Sequence, residues 1–469
     1  MRFDISYFLL GCIFTGSWVS AKHPKVTKKV GIIGAGIGGA STAYFLNELF
    51  QQQDVKVDIT MFEAEDRVGG RVFSPTFTRP GLPGIPLNMG ASLFVSCNYN
   101  MMNLTKRFSL PIQEDHGEYF SDSVTNLWNG KGFIWKESPF TRYGPENFVK
   151  LQGIIERMLV KFLKIYDSNR IWTSVDGLFK SLQLDNLLKV SGYEYFVSQG
   201  LNKTFVREYL DFSTRANYAR GITEIHALAA CIAAIPTTGV CDTHSVTSGN
   251  SALVKELATR SKAKVLLNHR VKAIFNLHGK YVVLSANGRI DTFDSLVVAT
   301  PFQSAKLFFL PRIRYPSVEY SQVQVTHVTG QLNPSYFNVT EASLPSNIYT
   351  TINEGKKTPF NSLYKIANYQ PKKGIYMYHL HSTGKLDQST ISRIFSEKRE
   401  TNVKVVWNAY PRMSTRDVQQ KFPVELSSGL YYLNTMEPFI STMETETISA
   451  KNIARLIARR IRGSHPAKQ

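Results

Sequence analysis

The chain of 469 residues is 43% hydrophobic and 12% aromatic, which excludes a disordered or fibrous protein and allows a large core, spread over two or three domains of about 150 residues each. Its net charge of +19 would suit nucleic acid, an anionic membrane or an acidic partner. Lys and Arg are dispersed, however, and the one short cluster, Arg455, Arg459, Arg460 and Arg462, reads as a solvated helix end.

In chain order, Arg2 precedes an apolar stretch from Tyr7 to Phe14 and the small residues Val19, Ser20 and Ala21. This is the layout of a secretory signal over residues 1–21, with cleavage expected after Ala21. The apolar run is far shorter than the roughly 20 residues that span a bilayer. The mature chain is therefore expected to be soluble or peripheral to a membrane, and secretory entry sets nucleic acid aside as a partner. The sequons at Asn103, Asn202 and Asn338 are expected glycosylation sites. If Cys12 leaves with the leader, Cys97, Cys231 and Cys241 remain. An odd number requires an unpaired thiol or an intermolecular bond, and no disulfide framework is expected to hold the fold.

The segment Lys29 to Ile33 reads as a buried strand that runs into Gly34-Ala35-Gly36-Ile37-Gly38-Gly39 and a helix from Ala40 to Phe50. Gly34 permits a tight turn, Gly36 lets the backbone approach a pyrophosphate, and Gly39 lets helix and strand pack closely. The helix N-terminus adds free N–H groups and positive dipole. Val55 to Phe62 alternates as the next strand and ends at Glu63, whose carboxylate can accept from both hydroxyls of a ribose. A polar turn, Gln51 to Asp54, explains the wider-than-usual gap from the glycines.

After Glu63 comes Asp66-Arg67-Val68-Gly69-Gly70-Arg71, and here the chain resembles the superfamily of flavin amine oxidases and prenylcysteine oxidases, which favours FAD over NAD. The resemblance implies that Gly70 passes close to the pyrophosphate and that Arg71 supplies charge to it. Val265 to Val271 looks like the strand whose valine, Val271, packs near the adenine. Asp294 to Pro301 is similar to the superfamily's D-x-V-I-x-A-x-P segment. Leu430 to Asn434 and Ser441 to Thr447 then lead to a helix expected from Ile448 to Ile461, with backbone N–H groups of Thr442, Met443 and Glu444 at the flavin pyrimidine edge. The implied fold is α/β: a Rossmann-like FAD-binding domain from 22–95, 245–305 and 425–469, with a mixed α+β substrate domain from 96–244 and 306–424. Within the latter, Phe148, Leu151, Ile155, Met158, Phe162 and Ile165 form a helical apolar stripe, read as core rather than as a membrane-touching face.

Over nearly the whole mature chain the resemblance narrows to the prenylcysteine oxidases, through Thr214-Arg215-Ala216-Asn217-Tyr218, Val246 to Asn250, Leu332 to Phe337, Trp407 to Pro411 and Ser441 to Thr445. Ser248-Gly249 and Arg220 depart from the family pattern at positions that could reshape the pocket. The implied reaction removes hydride from the allylic carbon beside a thioether sulfur, leaving a sulfur-stabilised cation. Water traps it as a hemithioacetal that falls to prenyl aldehyde and free cysteine, while oxygen becomes hydrogen peroxide. Alignment is the main demand, so no side chain is named as acid, base or nucleophile. The resemblance also implies a lysosome or vacuole as destination. With no cysteine between Asn434 and Glu437, the FAD is expected to be non-covalent. A polyamine or monoamine oxidase, with Tyr431 and Tyr432 in a cation cage, and a non-catalytic isoprenoid carrier are the competing readings. His379-Leu380-His381 places two imidazoles on one strand face without an evident third metal ligand. A buried thiol or an incidental bridge is expected of Cys231 and Cys241.

Overall fold

The computed structural model describes residues 27–51, 55–79, 82–114, 124–167, 170–351, 358–396 and 400–463. The expected leader and Cys12 lie outside them. The strand Thr27–Ile33 sits inside a six-stranded sheet, in the order Glu425–Ser427, Leu430–Tyr432, Ser295–Val298, Thr27–Ile33, Lys56–Phe62, Lys264–Leu266. Every neighbouring pair is parallel except the Glu425–Ser427 edge. A parallel ladder is covered on both faces and therefore reads as continuous apolar runs. Val30, Ile32, Leu296, Val297 and Val298 are accordingly fully buried. The helices Ile37–Phe50 and Met443–Gly463 pack together on this sheet. Strands from three distant stretches of chain thus close one Rossmann-like α/β unit.

A second six-stranded sheet runs Glu400–Pro411, Tyr320–Gly330, Ile375–Thr383, Ser362–Gln370, Asn347–Thr350, Thr125–Trp128. Its side chains alternate between faces, as the pleat dictates. Val328, Ile348, Leu363 and Leu380 pack one way, against Trp128, Phe337 and Phe360. Val323, Val325, Ile366 and Met377 face the other way, toward helices that include Pro145–Phe162, Asp211–Tyr218 and Ala227–Ala234. In the first of these, Leu151, Ile155, Met158 and Phe162 are buried, and Ile165 is buried just beyond it. Phe148 packs on Phe140 and Phe205. The stripe is core. Among the described residues no helix is long and apolar enough to cross a membrane.

Several sequence expectations need correction. Val265 to Val271 is not one strand: Lys264–Leu266 ends the parallel sheet, Asn268 turns the chain at a φ of +58°, and Val271–Leu277 opens a separate, mixed four-stranded sheet. The first helix begins at Ile37 rather than Ala40. The last begins at Met443 rather than Ile448, because Thr442 and Thr445 bond reciprocally and start it early. Cys241 is bridged to Cys97, and Cys231 is a free, buried thiol.

Candidate FAD and substrate site

The glycines of the first turn answer different demands. Gly34 has a φ of +104°, and a Cβ there would meet the Ala299 carbonyl oxygen at 2.5 Å. A Cβ on Gly39 would lie 2.0 Å from the Gly34 carbonyl oxygen. Both are fixed by packing of protein on itself. At Gly36 a Cβ would meet only the Gly69 carbonyl oxygen, at 3.7 Å, so packing does not explain the glycine and close approach of a ligand does. Gly70, with a φ of +53°, lies across from it, its Cβ position 3.5 Å from the Gly36 Cα. The helix beyond has no side-chain cap, which leaves first-turn N–H groups for an anion.

Glu63 closes the same turn. It is 7% exposed and accepts from Ala35 N at 2.8 Å and Glu65 N at 2.9 Å. Val271 is buried beyond the turn in which His269 N donates to the Glu63 carbonyl at 2.7 Å. Glu63, Gly36, Gly70 and Val271 therefore gather around one edge of the parallel sheet, where the strands end at their carboxyl sides.

A cavity of about 500 Å³ adjoins this edge at Ile37, Arg71 and Val72 and runs toward the second sheet, while Glu63, Gly36, Gly70 and Val271 lie outside its lining. Arg71 lines it, held by the Ala409 carbonyl at 2.7 Å and by a two-pronged pair with Glu437. Tyr320 also donates to Glu437, at 2.6 Å, and Asn434 Nδ2 does so at 2.7 Å. Arg71 is thus largely neutralised by a fully buried carboxylate, a partner that the sequence does not announce. Glu446 sits behind it, its Oε2 2.7 Å from where a Gly38 Cβ would be. Burial and then the charge of Glu437 push its carboxyl well above the usual range. Its Oε1 is buried without a hydrogen-bond partner among the described residues. An uncapped helix N-terminus beside Gly36, whose Cβ position is open, fits a dinucleotide.

Thr442, Met443 and Glu444 all line the cavity at the start of the last helix. The Glu444 side chain turns away from the cradle and accepts from Asn100 N and Met101 N, both at 2.9 Å, and from the Tyr166 hydroxyl at 2.7 Å. It caps the helix Tyr99–Arg107. Much of the remaining wall is apolar or aromatic, with Leu159, Phe162, Phe212, Ile235 and Pro236 on the helical side and Trp407 and Tyr410 on the sheet, beside a polar stretch that includes His327, His379 and His381. Trp407 donates to the Met89 carbonyl at 2.6 Å, and Tyr410 meets Tyr218 edge-on at 5.5 Å.

Other expected residues lie elsewhere. Tyr431 and Tyr432 are buried in a strand, with Tyr432 stacked on Phe302 at 4.2 Å, and neither lines the cavity. They form no cation cage. Arg220 leads away to Ser321 and Glu224. The sequon residues Asn103, Asn202 and Asn338 are exposed. No group of three or more His, Cys, Asp and Glu among the described residues has a metal-holding arrangement. Sequence reasoning misses Glu437, Glu446, Tyr320 and His327, although an acidic residue inside the apolar run from Tyr431 to Ile440 is a signal for the first.

The family described as prenylcysteine lyase matches residues 120–468, and a family described as an NAD(P)-binding Rossmann-like domain matches residues 32–108. Farnesylcysteine lyase of Arabidopsis thaliana is 30% identical, over 92% of this chain and 88% of that protein. Prenylcysteine oxidase 1 of Mus musculus is 26% identical over 98% of this chain and 95% of its own length, and that of Homo sapiens 27% over 93% and 90%. Among solved structures, a triple mutant of a putrescine oxidase superposes with a TM-score of 0.62 at 14% identity, covering 93% of this chain and 100% of that one. The wild-type putrescine oxidase gives 0.57 at 13%, with the same coverage. At these identities the structural likeness shows the fold.

Proposed function

Because the chain belongs to the prenylcysteine lyase family, we propose that it is an FAD-dependent thioether oxidase acting on prenylated cysteine. One molecule each of thioether, oxygen and water become prenyl aldehyde, free cysteine and hydrogen peroxide, in the breakdown of prenylated proteins. The observation that carries the reading is the continuity of a dinucleotide cradle with an aromatic-walled cavity of about 500 Å³, large and apolar enough for an isoprenoid.

When bound, FAD supplies the acceptor for the hydride of the carbon beside sulfur and passes the electron pair to oxygen. Gly36 and Gly70 would receive its pyrophosphate in a turn that Gly34 and Gly39 shape, Glu63 its ribose and Val271 its adenine. Arg71, tied to Glu437, would face it as a near-neutral donor rather than as a free charge. Backbone N–H groups of Thr442, Met443 and Glu444, at the positive end of the last helix, would hold negative charge on its pyrimidine edge. Leu159, Phe162, Phe212 and Trp407 would align the prenyl chain and exclude bulk water. With Cys97 and Cys241 bridged and Cys231 buried, no described thiol is placed to hold FAD covalently.

The Cys97–Cys241 bridge and the exposed Asn103, Asn202 and Asn338 support a secretory route with glycosylation, ending in a lysosome or vacuole. The charge of +19 supports peripheral contact with an anionic membrane surface. The test of the central reading is to mix the purified protein with farnesylcysteine without oxygen and follow the visible absorbance of FAD. Bleaching, followed on admitting air by farnesal and hydrogen peroxide, is the expected result. Bleaching by an amine but not by farnesylcysteine would overturn it.

A further inference from the structure

The cavity has one wall that an isoprenoid does not need. On the second six-stranded sheet, His327 pairs in register with His379, His379 with Tyr364, and His381 with both Val325 and Ser362. Side chains opposite one another in such a ladder share a face, and His327, His379, His381, Ser362 and Tyr364 all line the cavity. His327 Nε2 and His379 Nδ1 are 3.0 Å apart, and the His379 ring stacks on Tyr364 at 4.6 Å. The three imidazoles are 1%, 6% and 7% exposed. This polar row begins one two-residue step, about 7 Å, from the row that holds Trp407 and Val323.

Two ring nitrogens here, His327 Nδ1 and His381 Nδ1, are buried with no hydrogen-bond partner among the described residues. Burial pushes the proton affinity of all three rings far down, His327 to about 3 and His381 to about 4, where the Arg215 charge adds to it. They are neutral, and a neutral imidazole carries one donor and one acceptor. Whichever tautomer the His327–His379 bond selects, a valence is left at His327. Each unmet buried group carries a desolvation cost, so a ligand that meets both recovers that cost twice. An isoprenoid has nothing to offer them. An amino-acid head group offers ammonium donors and carboxylate acceptors together.

Resting on the oxidase reading above, we propose that His327, His379 and His381, with Ser362, bind the zwitterionic head of the prenylated cysteine, while the helical wall takes the prenyl chain. The carboxylate lies toward His381, on the side of the buried Arg215 guanidinium. Arg215 is held by Thr350 and Thr358 and makes no ion pair among the described residues. The row therefore selects thioethers that still carry a free amino acid, and rejects both headless thioethers and cysteines within a peptide chain.

The test uses the FAD-loaded protein, with the half-saturating concentration for anaerobic FAD bleaching as readout. For the wild type, farnesylcysteine should half-saturate at least tenfold lower than N-acetyl farnesylcysteine methyl ester or farnesyl methyl sulfide. In His381→Leu and His327→Leu that ratio should fall toward one, and His381→Gln should restore part of it. Equal half-saturation by the three compounds in the wild type overturns the proposal without any variant, as does an unchanged ratio in the leucine variants. Failure of farnesylcysteine to bleach wild-type FAD at any concentration overturns the oxidase reading and the head-group site together, so the two failures are distinguishable.

Discussion

The cradle and the cavity are built by opposite means. The cradle is local: Gly34 to Gly39 and the strand ending at Phe62 fix its shape through backbone geometry. The cavity is assembled from Arg71, Trp407, Glu437, Thr442 and the histidine row, which meet only through long-range strand pairing and helix packing. A backbone device tolerates almost no change at a few positions, whereas a cavity wall spreads its demands over many. The glycines themselves divide along this line, since Gly39 serves the fold and Gly36 serves a ligand.

The largest expected effect breaks that division open. Gly39→Ala drives a Cβ to within 2.0 Å of a backbone oxygen and should cost several kcal/mol, leaving little folded protein with or without FAD. Gly36→Val has open space around its first carbon. It should fold with a melting temperature near that of wild-type apoprotein, yet lose FAD binding at least a hundredfold. Equal damage by both would erase the distinction. Next in size is a bridge at the cavity wall: Cys241→Ser opens a loop of 144 residues beside the cavity and should lower stability by about 2–4 kcal/mol, read from denaturant midpoints with FAD bound. Glu63→Ala comes third. The loss of a carboxylate that accepts from Ala35 and Glu65 should weaken FAD retention at least tenfold in a folded protein. Normal retention would remove Glu63 from the ribose site.

The same contrast explains what is legible in the sequence. The Gly34–Gly39 turn, Glu63 and the Gly69-Gly70 pair are read in order along the chain because their function is local. Val271 stands out as a residue, but its strand does not, since the turn at Asn268 depends on a positive φ that an asparagine permits without advertising. Glu437 shows in the sequence only as an acidic residue in an apolar run, because its partners, Arg71 and Tyr320, lie 366 and 117 residues away. His379 and His381 are visible as a pair on a strand, yet His327, which gives them meaning, joins them only through the register of Tyr320–Gly330 with Ile375–Thr383. The pairing of Cys97 with Cys241 is hidden for the same reason, across 144 residues.

The smallest effect lies on Glu444, which lines the cavity at the start of the last helix and whose carboxylate caps the helix Tyr99–Arg107. Burial raises its folded-state proton affinity to about 6, against lowering by hydrogen bonds from Tyr166, Met101 and Asn100. The folded protein therefore holds a proton that the unfolded chain, with an ordinary carboxyl value near 4.5, gives up earlier. This contribution to stability is complete below the unfolded value and is lost as pH rises through about 6, amounting to about 2 kcal/mol in all. Glu444→Gln removes the titration while keeping one acceptor for the cap. Melting temperatures at pH 4.5 and 7 should differ less in the variant than in the wild type. An identical pH slope would mean that Glu444 stays ionised throughout, with its cap hydrogen bonds outweighing burial.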